Sequence, residues 1–136
     1  MRRNPEFTFF SHKNVPEVSG YEGGLVNSTI MNSLHTSPTL GIDIGSTTVK
    51  VALLDAEHNI LFSDYERHYA NIQETLAELL RKAREKAGPM EVVSVITGSG
   101  GLALSHHLQV PFVQEVVAVA SALQDYAPQT DVAIEL

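Results

Sequence analysis

The sequence predicts an α/β domain whose elements run β-β-β-α-β-α-β. Three observations carry that expectation. Two apolar runs, residues 40–45 and 49–55, flank a turn of small hydroxyl residues. An amphipathic stretch opens at Asn71 and closes at Gly88-Pro89. Beyond it, Val92-Val93-Ser94-Val95-Ile96 is a near-continuous apolar run, the pattern of a strand covered on both faces.

In chain order, residues 40–45 and 49–55 form the first hairpin. Strand side chains alternate between faces. Ile42 and Ile44 therefore point into a core, while Gly41, Asp43 and Gly45 leave a polar floor on the other side. Glu57-His58-Asn59 is a turn, and Ile60 to Tyr65 is the third strand. Asn71 is a good N-cap, with Glu74 three residues on completing a capping-box-like pattern. Ile72, Leu76, Leu79 and Ala83 recur at helical spacing and define the buried stripe. Glu78 and Lys82 support the outer face as an i,i+4 pair. After the buried strand, Gly98 to Gly101 is a turn and Leu102 to Leu108 a short helix. Val113 to Tyr126 is helical, with Val116, Val119, Ala120 and Leu123 on one face, and Pro128 stops it. Val132-Ala133-Ile134 begins a final strand.

At 136 residues the chain has room for one domain and one core. Residues 1–38 are rich in Asn, Ser, Thr, Gly and Pro and keep no period, so they read as an irregular or disordered leader. Met31, shortly before the first strand, is an alternative start. The charges of the leader cancel, so the net charge of −7 lies wholly in residues 39–136. No basic patch stands out, which argues against nucleic acid as a partner. The cluster Arg81-Lys82-Ala83-Arg84-Glu85-Lys86 is interleaved with acid and reads as solvated helix surface. No window approaches a membrane span, and Phe7-Thr8-Phe9-Phe10 is too short for a signal peptide, so the expected location is cytoplasmic. Cysteine is absent, which excludes disulfides, zinc–thiolate sites and a cysteine nucleophile.

The chemistry concentrates in Asp43-Ile44-Gly45-Ser46-Thr47-Thr48-Val49-Lys50. Ser46, Thr47 and Thr48 present hydroxyls and backbone N–H groups around a concavity suited to phosphate oxygens. Asp43 beside it suits a hydrated Mg²⁺, which prefers carboxylates, water and substrate phosphates. An ordinary hairpin turn remains the plainer reading of the Gly, Ser and Thr residues. Lys50 either neutralises phosphate or is a solvent-facing strand residue. Gly45 either admits a ligand close to backbone or merely allows the turn. Thr97-Gly98-Ser99-Gly100-Gly101 is a second Gly-rich turn at a strand end, without the spacing of a dinucleotide fingerprint or the Lys of a P-loop. Glu115 is either a general base or a carboxylate favoured by the helix dipole. His106 and His107 are adjacent, so they diverge on a helix and do not suggest a metal site.

Leu40-Gly41-Ile42-Asp43-Ile44-Gly45-Ser46-Thr47-Thr48 resembles the first phosphate loop of the sugar kinase, Hsp70 and actin superfamily of ATPases. Within it, the sequence is most similar to the activators of 2-hydroxyacyl-CoA dehydratases and the ATPase subunits of benzoyl-CoA reductases. Ile96-Thr97-Gly98-Ser99-Gly100-Gly101 resembles the glycine turn those activators place after their fourth strand. Pro111 to Ala118 and Asp131 to Leu136 resemble the segments that follow, so the likeness runs in order from Thr39 to Leu136.

The resemblance implies a ribonuclease H-like half-domain of the actin-like ATPase fold, with residues 39–136 as a first domain truncated before a second. It implies ATP and Mg²⁺ as cofactors. Gly45, Ser46, Thr47, Thr48 and Lys50 would lie around the phosphates, Gly98, Gly100 and Gly101 would line the cleft, and Asp43 would hold the metal through water. Asp43 and Glu115 are the candidate catalytic residues. A 2-hydroxyacyl-CoA dehydratase or reductase component is the implied partner, onto which ATP hydrolysis would drive an electron. One departure matters. The activators carry a cysteine three positions after the glutamate, where it helps hold an iron–sulfur cluster between subunits, and here that position is Ala118. A fragment of a sugar or small-molecule kinase, and a non-catalytic remnant or interaction module, are the alternative readings.

Overall fold

The computed structural model describes residues 11–12 and 37–134. Within them the order is β1 (Ser11–His12), β2 (Thr39–Ile44), β3 (Thr48–Leu54), β4 (Ile60–Arg67), α1 (Ile72–Ala87), β5 (Glu91–Thr97), α2 (Gly101–Leu108) and α3 (Glu115–Tyr126). The strands form one sheet in the order β1-β5-β2-β3-β4. β2 pairs antiparallel with β3 and parallel with β5, and β3 pairs antiparallel with β4. A parallel β2–β5 pair needs a long crossover, and α1 supplies it.

The alternation read in β2 is realised. Leu40, Ile42 and Ile44 are buried, and so are Val49, Val51 and Leu53 of β3. The α1 stripe packs into the same core through Leu76, Leu79 and Ala83, with Ile72 partly buried beside it. Val92, Val93 and Ile96 of β5 are fully buried, consistent with a strand covered on both faces. Gly88 ends α1 at φ 77°, with its N–H donating to the Arg84 carbonyl at 2.8 Å.

Several local expectations change. The third strand continues past Tyr65 to Arg67, because Glu66 and Arg67 pair with Val49 and Thr48 of β3; Lys82 of α1 also holds Glu66. The expected Glu78–Lys82 pair does not form. Lys82 instead reaches Asp64, at 3.2 Å, and Glu66, while Glu78 pairs with Arg81. The two β4 carboxylates, hydrogen-bonded to Lys82, raise its pKa. Asn71 stands at the N-cap position but makes no side-chain cap bond; its amide donates to the Glu74 carboxylate. The last helix starts at Glu115, not Val113, since residues 111–113 run beside β5, where Ile96 and Val113 donate to the Pro111 and Ile96 carbonyls. The face expected to be buried on it is not: none of its residues is fully buried, and Val116 is 71% exposed. No strand forms at Val132-Ala133-Ile134, where none of the described strands pairs and both large residues are exposed. In the leader, Ser11 and His12 pair in parallel with Glu91 and Val92; the rest of that segment up to residue 36 lies outside the described residues, as do residues 135 and 136.

The β3–β4 turn closes on Asp55. Its carboxylate accepts from the Asn59 side-chain amide at 3.0 Å, the Asn59 N–H at 2.8 Å and the Glu57 N–H at 3.0 Å. Those bonds, led by the Asn59 side chain, hold the carboxyl below its usual pKa. A depressed carboxyl stabilises the fold fully above its unfolded pKa, and that contribution is lost as pH falls through the lower folded value. Asp55→Ala is therefore expected to lower the urea midpoint at neutral pH, with the gap to wild type closing on acidification. An unchanged midpoint at neutral pH would count against the turn as described.

Candidate functional site

Register assembles the site. Asp43 of β2 lies opposite Thr97 of β5 on one side and Lys50 of β3 on the other, and Lys50 lies opposite Tyr65 of β4. Partners in register share a face, so Thr97, Asp43, Lys50 and Tyr65 make a polar row across four strands, on the face opposite Ile42 and Ile44. Lys50 Nζ donates to Asp43 Oδ2 at 2.7 Å, which answers part of the open question: its ammonium is tied to the acid at the turn.

Two atoms of that row have no protein partner. Asp43 Oδ1 and Thr97 Oγ1 are both buried and without a hydrogen bond. Leaving such a group unsatisfied costs about 1–3 kcal/mol, so their survival side by side in register is the strongest chemical signal among the described residues. A carboxylate and a hydroxyl are hard oxygen donors, the set that suits Mg²⁺ and its water shell. Thr97 was not among the binding residues expected from the sequence. Its signal was the adjoining Gly98, but only the register shows it facing Asp43.

The two glycine turns are stitched together. Gly98 is buried at φ 90°, and a Cβ there would overlap Asp43 Oδ1 and the Ile44 carbonyl. The Gly100 N–H donates to that same Ile44 carbonyl at 2.8 Å, and a Cβ on Gly100 would sit 2.9 Å from Ile44 Cγ2. Gly101 opens α2 against Ile96 and Phe112. Thus Gly98 and Gly100 serve close packing of the second turn on the first, and Gly101 that of α2 on Ile96 and Phe112. Gly45 differs. Its N–H donates to the Thr48 carbonyl at 2.9 Å, but a Cβ would meet nothing nearer than 3.5 Å. Packing of the turn therefore does not require glycine at that position. Ser46 and Thr47 are exposed at the tip, and Thr48 is half-buried at the start of β3.

A segment that sequence reasoning passed over completes the wall. The His68 N–H donates to the Thr47 carbonyl at 3.1 Å, and the buried His68 ring lies 3.3 Å from the Gly45 carbonyl through Nε2. Because Nδ1 accepts from the Ala70 N–H at 3.0 Å, the network assigns the ring hydrogen to Nε2, which donates to Gly45. Tyr69 and Ala70 follow at φ 44° and 66°, a left-handed pair that costs about 1–2 kcal/mol per residue. Ser46, Thr47, Arg67, His68, Tyr69 and Ala70 line a shallow hollow beside the turn.

Glu115 stands in the first turn of α3, partly buried, after the segment that bonds to Ile96. Both His106 and His107 are exposed on α2, and among the described residues no group of His, Cys, Asp or Glu is arranged to hold a metal by itself. With no cysteine in the chain, the iron–sulfur group does not fit these residues.

This sheet order, with two glycine turns meeting at the ends of the interior strands β2 and β5, is that of a half-domain of the actin-like ATPase fold. The chain is similar to the solved structure of (R)-2-hydroxyglutaryl-CoA dehydratase component A from Acidaminococcus fermentans, at 21% identity and a TM-score of 0.59, over 69% of this chain and 37% of that one. It also overlaps an uncharacterized protein with similarity to the peptidase YeaZ from Pseudomonas aeruginosa, at 21% identity and a TM-score of 0.45, over 66% of this chain and 49% of the other. The chain thus spans well under two thirds of either structure's length. No protein-family model matches it, and no curated protein does.

Proposed function

We propose that this chain supplies one wall of the nucleotide site of an acyl-CoA dehydratase activase-like ATPase, a cytoplasmic protein that couples ATP hydrolysis to electron transfer onto a dehydratase or reductase component. The observation that carries the reading is the unpartnered pair Asp43 Oδ1 and Thr97 Oγ1 at the junction of two glycine turns. In this reading Asp43 holds Mg²⁺ through water. Backbone and hydroxyl groups of Gly45, Ser46, Thr47 and Thr48 receive the phosphates, and Gly98, Gly100 and Gly101 keep the second turn tight behind them. Lys50 exchanges its Asp43 partner for phosphate oxygen. Glu115 orients or deprotonates the attacking water. Bound Mg²⁺ would neutralise developing phosphate charge; positioning and electrostatics do most of the work in phosphoryl transfer. The dehydratase component A fold supports the reading at the level of architecture.

One wall alone binds Mg-ATP weakly and turns it over little. Calorimetric titration of the full chain should give weak, Mg²⁺-dependent ATP binding, weakened about tenfold or more in Asp43→Ala, the scale of a lost charge-assisted contact. Equal affinity in the two proteins, or no binding by a folded wild type, sinks the proposal. The second reading, a non-catalytic interaction module, is favoured by one observation: Val116, Val132 and Ile134 lie exposed on the last helix and the segment after it. Nucleotide-independent self-association that rises with concentration would move the balance to it.

A further inference from the structure

We infer that Arg67 is a second phosphate-binding cation of this site, delivered to the first glycine turn by the His68 tether; the inference rests on the nucleotide reading above and names a residue it does not contain. Arg67 is the last residue of β4 and lies opposite Thr48, the first of β3. It therefore shares the face of Thr48, Lys50 and Asp43, and lies diagonally across from Lys50, about 7–8 Å away at the backbone.

Their states differ. Lys50 is engaged by Asp43. Arg67 is exposed, and among the described residues its guanidinium has no ion pair or hydrogen bond, although carboxylates are abundant on this acidic chain and Asp64 and Glu66 on its own strand are both taken by Lys82. Alternation explains the segregation: Asp64 and Glu66 point to the α1 face, while Tyr65 and Arg67 point to the face of the turn.

The position of Arg67 is also specified. The next residue, His68, is buried and clamps two carbonyls of the turn, those of Thr47 and Gly45, through its backbone N–H and its ring. The chain then enters two left-handed residues that no glycine relieves. Such a segment persists only where surrounding contacts determine it, and these conformations cluster at ligand sites. Arg67 thus lines the same shallow hollow as Ser46 and Thr47 of the turn, together with residues 68–70. A planar fork of donors matches phosphate oxygens better than an ammonium does. The class of ligand is a polyphosphate chain, met at its terminal group.

The test uses inorganic tripolyphosphate, titrated into the full ¹⁵N-labelled chain at about 0.1 M salt and followed by amide shifts at Ser46 and Thr47. Arg67→Ala is expected to bind about tenfold more weakly than wild type, with Arg67→Lys between the two, as for loss of a charge-assisted contact. Arg81→Ala removes the same charge from the distant face of α1, where Arg81 is paired with Glu78, and should leave binding unchanged. Circular dichroism checks that each variant folds. Wild-type affinity in Arg67→Ala, or equal losses in Arg67→Ala and Arg81→Ala, overturns the role of Arg67 and leaves the nucleotide reading standing. No binding by the folded wild type of either tripolyphosphate or Mg-ATP overturns both.

Discussion

Gly98→Ala should destabilise the domain by about 2–5 kcal/mol, combining about 1–2 for a side chain in left-handed backbone with about 1–3 for overpacking. The residue sits at φ 90°, and its missing Cβ would occupy space held by the Asp43 carboxylate and the Ile44 carbonyl. Neither neighbour can yield cheaply. Ile44 is backbone in the middle of the sheet, and Asp43 is fixed by Lys50. Gly88→Ala is the control: φ is 77° there too, but nothing stands within 4 Å of the new methyl, so only the backbone strain is expected. Urea denaturation of the two variants separates the terms. A Gly98 variant no less stable than the Gly88 variant would refute the close approach of the two turns.

Leu79→Ala is expected to cost about 2–5 kcal/mol, the range for deleting a large aliphatic side chain from a core. Leu79 is fully buried in the middle of α1, where the helix meets Val49, Val51 and Leu53 of the central hairpin. Domains of this size hold about 5–15 kcal/mol in total, so the variant stands near the limit of folding. Val116→Ala on the exposed flank of α3 should change stability by about 0.5 kcal/mol or less. Comparable losses in the two variants, measured by chemical denaturation, would mean that α3 is packed in a way its exposure contradicts.

Much of this fold was legible because it rests on local alternation. The hairpin of Asp43 and Lys50, the stripe of α1 and the apolar run of β5 each declare their period within a few residues. What was not legible depends on neighbours. From sequence the third strand ends at Tyr65; pairing of Glu66 and Arg67 with Val49 and Thr48 of β3 is what lets β4 continue. That continuation sets Arg67 across from the turn, and no sequence window joins residues that far apart. The same holds for Thr97, read in sequence only as the start of a glycine turn and set opposite Asp43 by register. The apolar pattern at Val132 and Ile134 failed for the converse reason: a strand needs a partner edge, and periodicity alone cannot say whether one is present.

The bond from Gly100 to the Ile44 carbonyl has a further consequence, for the entropy of binding. Two loops that must each be ordered around a ligand take their conformational freedom from the affinity. Here the second loop is already fastened to the base of the first, and His68 fastens its tip. The backbone thus arrives at the ligand with most of its freedom already lost during folding, and a bound phosphate has chiefly the side chains of Ser46, Thr47, Lys50 and Arg67 left to immobilise, at about 0.5–1.5 kcal/mol for each rotamer-rich chain. Any movement that accompanies binding must carry both turns together as one rigid piece.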